Sequence, residues 1–118
     1  MEHVLRHSEY RDVNLGRVAI VESKNEITNV DYNSNVISLL IQYNGIFFDY
    51  ETLLSVLLHE FAHLIRRKLT NEVPRDGHDH DELWKSILHN LIVIARLSIY
   101  GYQGRTDERY PSIYSMTM

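Results

Sequence analysis

Ser55-Val56-Leu57-Leu58-His59-Glu60-Phe61-Ala62-His63-Leu64-Ile65 sets an H-E-x-x-H motif inside an otherwise apolar run. On a helix, residues four apart lie one above the other on the same face. His59 and His63 therefore aim two imidazoles at one point, and Glu60 lies beside that point without occupying it. Two neutral imidazoles and an adjacent carboxylate are the parts of a zinc site with a general base attached. The flanking Leu53, Leu54, Val56, Leu57, Leu58, Phe61, Ala62, Leu64 and Ile65 leave few positions for solvent, so the helix is expected to be buried. A Glu-His pair buried without a task carries a desolvation cost, which weighs against an ordinary helix face. The expectation is one Zn2+ per chain, held by His59 and His63, with Glu60 as the catalytic base.

Upstream, the pattern is that of strands. Arg17-Val18-Ala19-Ile20-Val21-Glu22 is rich in β-branched residues. Ile27-Thr28-Asn29-Val30-Asp31-Tyr32 alternates apolar and polar, as a half-buried or edge strand does. Asn33-Ser34-Asn35 is a turn, and Val36-Ile37-Ser38-Leu39-Leu40-Ile41-Gln42-Tyr43 is the strongest strand, closed by Asn44-Gly45. Three such strands in succession predict an antiparallel meander, which needs a helix packed on it to be stable. The histidine helix is that partner, with Asp49 as its N-cap, Glu51 in its first turn and its end near Leu69. Residues 1–15 are polar and mixed, a short helix or a loose arm.

Downstream, 70–77 carries Pro74, Gly77 and several polar residues and is a loop. A second long helix starts within His78-Asp79-His80-Asp81-Glu82-Leu83-Trp84, with Asp79 and Glu82 as a capping box and Asp81 as the rival cap. Leu83, Trp84, Ile87, Leu88, Leu91, Ile92, Ile94 and Ala95 give it a broad apolar face. Gly101 is the expected stop, and 101–118 is read as a tail without clear period.

The fold class expected is α+β: about three strands in an antiparallel-type sheet, packed on the H-E-x-x-H helix and a second C-terminal helix. The 118 residues suit a single domain, 1–118, with its core over roughly 16–100. Apolar residues at 44% and charged residues at 24% are ordinary globular usage. There is no cysteine, which rules out disulfides and thiolate metal sites and fits a reducing, intracellular setting in cytoplasm or nucleus. No signal peptide is read at the N-terminus, and no run reaches the roughly 18 apolar residues of a membrane span. A net charge of -4 argues against a broad electrostatic grip on nucleic acid. The local cluster Arg66-Arg67-Lys68 reads as cations favoured at a helix C-terminus.

A catalytic zinc normally has three protein ligands and one open position. Arg66 and Leu69 stand where the metzincin pattern needs Gly and His, so that class is excluded. Glu72 lies beside Pro74, which argues against the helix interior a thermolysin-like ligand requires. His80 is the first choice for the third ligand, ahead of His78 and Glu82, because imidazole is the commonest zinc ligand and both histidines lie where a loop can fold back. His89 is read as a core-edge histidine, and His3 and His7 as solvated.

The segment 33–43, then Phe48-Asp49-Tyr50-Glu51-Thr52-Leu53-Leu54-Ser55-Val56-Leu57-Leu58-His59-Glu60-Phe61-Ala62-His63, then His80-Asp81-Glu82-Leu83-Trp84, resembles the WLM metallopeptidases and their SprT/Spartan-like relatives. These share a strand ending shortly before an L-L-H-E-x-x-H helix and a later H-D/G-x-x-F/W segment that supplies the third histidine. His80 with Trp84 matches that segment; Gly77-His78 mimics the glycine-histidine step of some SprT-like members. The spacing from His63 to His80 is closer to SprT than to WLM, and the likeness covers roughly 16–98, a bare catalytic core.

The resemblance implies a zinc metalloendopeptidase acting on protein or peptide, with DNA-crosslinked or DNA-associated proteins as the substrate class of relatives. The 36–43 strand is expected to offer an edge for an extended substrate. The alternative is a non-catalytic, zinc-stabilised binding domain, closed by a fourth ligand: Asp79, Asp81, Glu82 or the other of His78 and His80.

Overall fold

The computed structural model describes residues 2–24, 27–72 and 80–103. In chain order its elements are α1 (Glu2–His7), β1 (Ala19–Glu22), β2 (Asn29–Asp31), β3 (Val36–Leu39), β4 (Gln42–Tyr43), β5 (Ile46–Phe47), α2 (Tyr50–Thr70) and α3 (Glu82–Ser98). The architecture is α+β, a small three-stranded sheet with two long helices, and α2 carries His59 and His63.

The sheet is mixed, and its order is β1-β3-β2. β2 runs antiparallel to β3, with Val30 opposite Ile37, while β1 runs parallel to β3, with Ile20 opposite Ile37. This corrects the expected meander, in which β2 would lie in the middle. The central place goes to the more apolar strand: Val36-Ile37-Ser38-Leu39 has more to bury than Asn29-Val30-Asp31. The β2–β3 connection is a local Asx turn, in which Asp31 Oδ1 accepts from the backbone N–H groups of Asn33 (2.9 Å) and Ser34 (3.3 Å). β1 is then joined from the other side, where the Asn35 side chain donates to the Leu15 carbonyl at 2.7 Å. All four β1 residues are exposed.

The long third strand expected over 36–43 is broken. The Leu40 N–H donates to Thr28 Oγ1 (2.8 Å), which ends the ladder at Leu39. The chain resumes as a hairpin, with Gln42 opposite Phe47 and Tyr43 opposite Ile46. Asn44 and Gly45, at φ 53° and 78°, form its two-residue turn. Asn-Gly is thus a hairpin turn rather than only the end of a strand. Because β3 is flanked on both sides, it has no free edge. The expected edge for substrate on 36–43 is therefore overturned over Val36–Leu39, and the outer sides of the sheet belong to β1 and β2.

α2 is the core of the molecule. Leu54, Leu58, Phe61, Ala62, Leu64 and Ile65 are buried along it, against Ile37 from β3 and Trp84, Ile87, Leu88, Leu91, Ile92 and Ala95 from α3. Its start is capped by Asp49, whose side chain accepts from the Thr52 N–H at 2.7 Å, as the sequence predicts. Its end is Thr70, with Asn71 in the left-handed region and its N–H bonded to the Arg67 carbonyl. Replacing Asp49 with Ala removes one orphan-donor partner and should cost about 1 kcal/mol, measurable as a shift in the urea midpoint without a change in slope.

α1 packs against α3 through Val4, which is fully buried, and the Glu9 N–H that follows donates to Asn90 Oδ1 (3.2 Å). Beyond α3 the chain is tied back to the start of α2. Tyr102 is buried with its hydroxyl 2.9 Å from Ser55 Oγ, and the Gln103 N–H donates to Glu51 Oε1 at 3.3 Å. The rest of the expected tail lies outside the described residues. Among the described residues, no helix is long and apolar enough to cross a membrane.

Candidate metal centre

His59 and His63 project from α2 one turn apart, and both are buried, at 2% and 1% exposure. Their Nε2 atoms lie 3.3 Å from each other. His80 enters from the other side. It immediately precedes Asp81, the N-cap of α3, and its Nε2 lies 3.2 Å from His59 Nε2. The three histidines each offer a ligand atom within 4.8 Å of the others, and they are the one such group of His, Asp or Glu among the described residues.

The donor set fits a metal better than it fits hydrogen bonding. An imidazole nitrogen is either an N–H or a single in-plane lone pair. His59 Nε2 therefore cannot donate to one neighbour and accept from the other, although both lie at hydrogen-bond distance. A cation accepts all three lone pairs. Nitrogens held tetrahedrally at about 2.0–2.1 Å from one zinc are about 3.3–3.4 Å apart; the two separations that His59 makes, 3.3 and 3.2 Å, are close to that, and the His63–His80 pair lies within 4.8 Å.

Glu60 is fully buried, and its Oε1 lies 3.9 Å from His59 Nε2. One carboxylate oxygen is thus near the His59 nitrogen that faces the other two imidazoles. Its placement is that of a group able to hold a proton beside a ligand of the trio.

Trp84 forms the floor. Its indole stacks on His80 with ring centroids 4.2 Å apart and planes inclined 28°, lies nearly parallel to His63 at 5.3 Å, and meets His59 edge-on at 4.7 Å. Its Nε1–H donates to the His59 carbonyl at 3.4 Å. One side chain on α3 therefore touches all three imidazoles. The signal in the sequence is the aromatic one helical turn after His80.

Asp81 has two tasks. Its Oδ1 accepts from the Trp84 N–H at 3.0 Å, capping α3. Both of its oxygens also accept from Arg66: Nε to Oδ1 and Oδ2 at 3.0 Å each, and Nη2 to Oδ2 at 2.6 Å. The Arg66 hydrogen bonds, with the helix cap, hold the Asp81 carboxyl well below the usual range, at about 2. The pair thus stays ionised throughout the range in which an ordinary imidazole titrates, near pH ~6.5. Arg66 is therefore no helix-end cation, as its place in Arg66-Arg67-Lys68 suggests: it is buried, and Arg67 and Lys68 occupy the last turn.

The alternatives sort as follows. Glu82 points to solvent and pairs with Lys85 Nζ at 3.3 Å, so it does not join the trio. His78 and Asp79 lie outside the described residues. His89, read as core-edge, is exposed, as are His3 and His7, whose rings lie 4.4 Å apart on α1. Of the candidate fourth ligands described, Asp81 is engaged by Arg66 and Glu82 by Lys85. No family model, no curated protein and no solved structure matches this chain.

Proposed function

We propose that the chain is a zinc-dependent metalloendopeptidase whose metal is held by His59, His63 and His80. The observation that carries this reading is the buried Glu60 carboxylate at 3.9 Å from a nitrogen of a three-histidine cluster that has no fourth protein donor among the described residues. A site that staples a fold is usually closed by a fourth ligand and has no use for a base. A zinc ion bound there supplies a Lewis acid and an acidified water.

The chain's own residues do the rest. Glu60 takes the proton from the attacking water and returns it to the leaving amine, a role worth about 10²–10⁴ in rate. The three imidazoles would hold the metal through neutral nitrogen lone pairs. Trp84 and the α2–α3 packing keep the rings in one arrangement and shield the buried side of the site. The substrate is protein or peptide, in an intracellular setting. Proteins crosslinked to or associated with DNA are the class suggested by the resemblance to WLM and SprT-like peptidases; the net charge of -4 offers no independent support for DNA contact.

Elemental analysis after zinc reconstitution tests the metal set. The expected result is one zinc per chain in wild type, retained in His78→Ala and lost in His80→Ala. Cleavage of an unfolded protein substrate, with and without single-stranded DNA, then tests the activity. A wild type that holds zinc but cleaves nothing in either condition would favour the zinc-stabilised binding domain; a wild type that holds none removes both.

A further inference from the structure

We infer that Arg66 is a positioning residue for the metal centre: its fork on Asp81 fixes where His80 stands. This rests on the three-histidine metal reading above.

The two buried ligands need no such help. His59 and His63 are carried by the interior of a 21-residue helix, packed on all sides. His80 differs in kind. It is exposed and lies just outside α3, so no helical ladder dictates its backbone. What anchors it is the next residue. Asp81 is tied to α3 through the Trp84 N–H and to α2 through Arg66. A helix cap alone orients Asp81 with respect to α3. Only the Arg66 contact refers it to the helix that holds the other two ligands.

The placement of Arg66 follows from helix geometry. It lies three residues beyond His63 and seven beyond His59, so all three share one face of α2. That face therefore carries two ligands and the clamp for the third. The contact is of the kind arginine alone makes. A planar guanidinium meets a carboxylate with two N–H groups and sets its orientation, where a lysine sets only its distance. The Arg66 side chain is 10% exposed and that of Asp81 is 36% exposed, so the pair is partly shielded from water on the arginine side. An ion pair that served stability alone would contribute little, and its removal would leave metal affinity where it was.

The test compares Arg66→Met, Arg66→Lys and Asp81→Ser with wild type. Asp81→Ser retains a helix N-cap while removing the fork, so it answers the question even where Arg66→Met folds poorly. Zinc affinity is measured by competition with a chromophoric chelator, and the visible absorption of the Co2+-substituted protein reports coordination geometry. Loss of an outer partner of a metal site typically weakens binding about 10–100-fold. A fall in that range is expected for Arg66→Met and for Asp81→Ser, with an altered Co2+ spectrum, and a smaller fall for Arg66→Lys. The double variant should fall no further than either single, since both remove the same contact. Wild-type affinity and an unchanged Co2+ spectrum in folded Arg66→Met and Asp81→Ser would overturn the inference and leave the metal reading standing. Absence of metal binding in wild type would overturn both.

Discussion

Replacing Glu60 with Gln is expected to leave zinc bound at wild-type stoichiometry and to reduce kcat by about 10²–10⁴-fold. The substitution keeps size and shape and removes only charge and basicity, which is what a general base contributes. The same variant carries a second expectation. Glu60 is 0% exposed, so the isosteric replacement should also leave the packing of α2 as it is. Melting curves of the two proteins at matched zinc check that the fold is kept. A Gln variant that cleaves at the wild-type rate would place the base elsewhere.

Trp84→Ala should be the most destabilising single change at the site, by about 3–5 kcal/mol. Trp84 is 7% exposed and belongs to the main core cluster, so truncation opens a cavity between α2 and α3. The cavity lies directly under the imidazoles, so the loss should exceed stability alone. His80, stacked on the indole at 4.2 Å, loses the surface that fixes its plane. Trp84→Phe separates the two roles. It keeps a ring beneath the histidines and gives up the Nε1–H bond to the His59 carbonyl, for which about 1 kcal/mol is expected. Urea denaturation of the three proteins at matched zinc provides the comparison. Equal midpoints for Trp84→Ala and wild type would show that α2 and α3 repack without the indole.

What could be read from the sequence was what is written locally. The H-E-x-x-H helix announces itself because its two histidines, its glutamate and its apolar flanks all lie within one short run, and Asp49 caps it where an Asx residue precedes such a run. His59, His63 and His80, the three histidines chosen from the sequence, are the three brought together among the described residues. The resemblance pairs His80 with the aromatic four residues later, and Trp84 lies against its ring; His78 lies outside the described residues.

What was not legible is pairing between segments distant in sequence. β1, β2 and β3 have three or four residues each, too few for alternation to specify neighbours. A meander and the observed β1-β3-β2 order satisfy the same local pattern, and the competition for the central position decides between them. The break after Leu39 depends on Thr28 reaching the Leu40 N–H from another segment. Arg66 is the same kind of case: its partner is fifteen residues away, so one arginine among three consecutive cations carries no mark of its task.

The division of the three histidines between α2 and the start of α3 has a consequence for the chain's biosynthesis. The helix bearing His59 and His63 leaves the ribosome before the residues that bring His80. A nascent or partly unfolded chain has at most two of the three imidazoles in place, and these are the two one helical turn apart. The third arrives only when α3 docks, and docking is also what brings Trp84 beneath the rings and Asp81 to Arg66. Completion of the cluster is thus a readout of finished tertiary structure: the three imidazoles meet only in a chain that has folded.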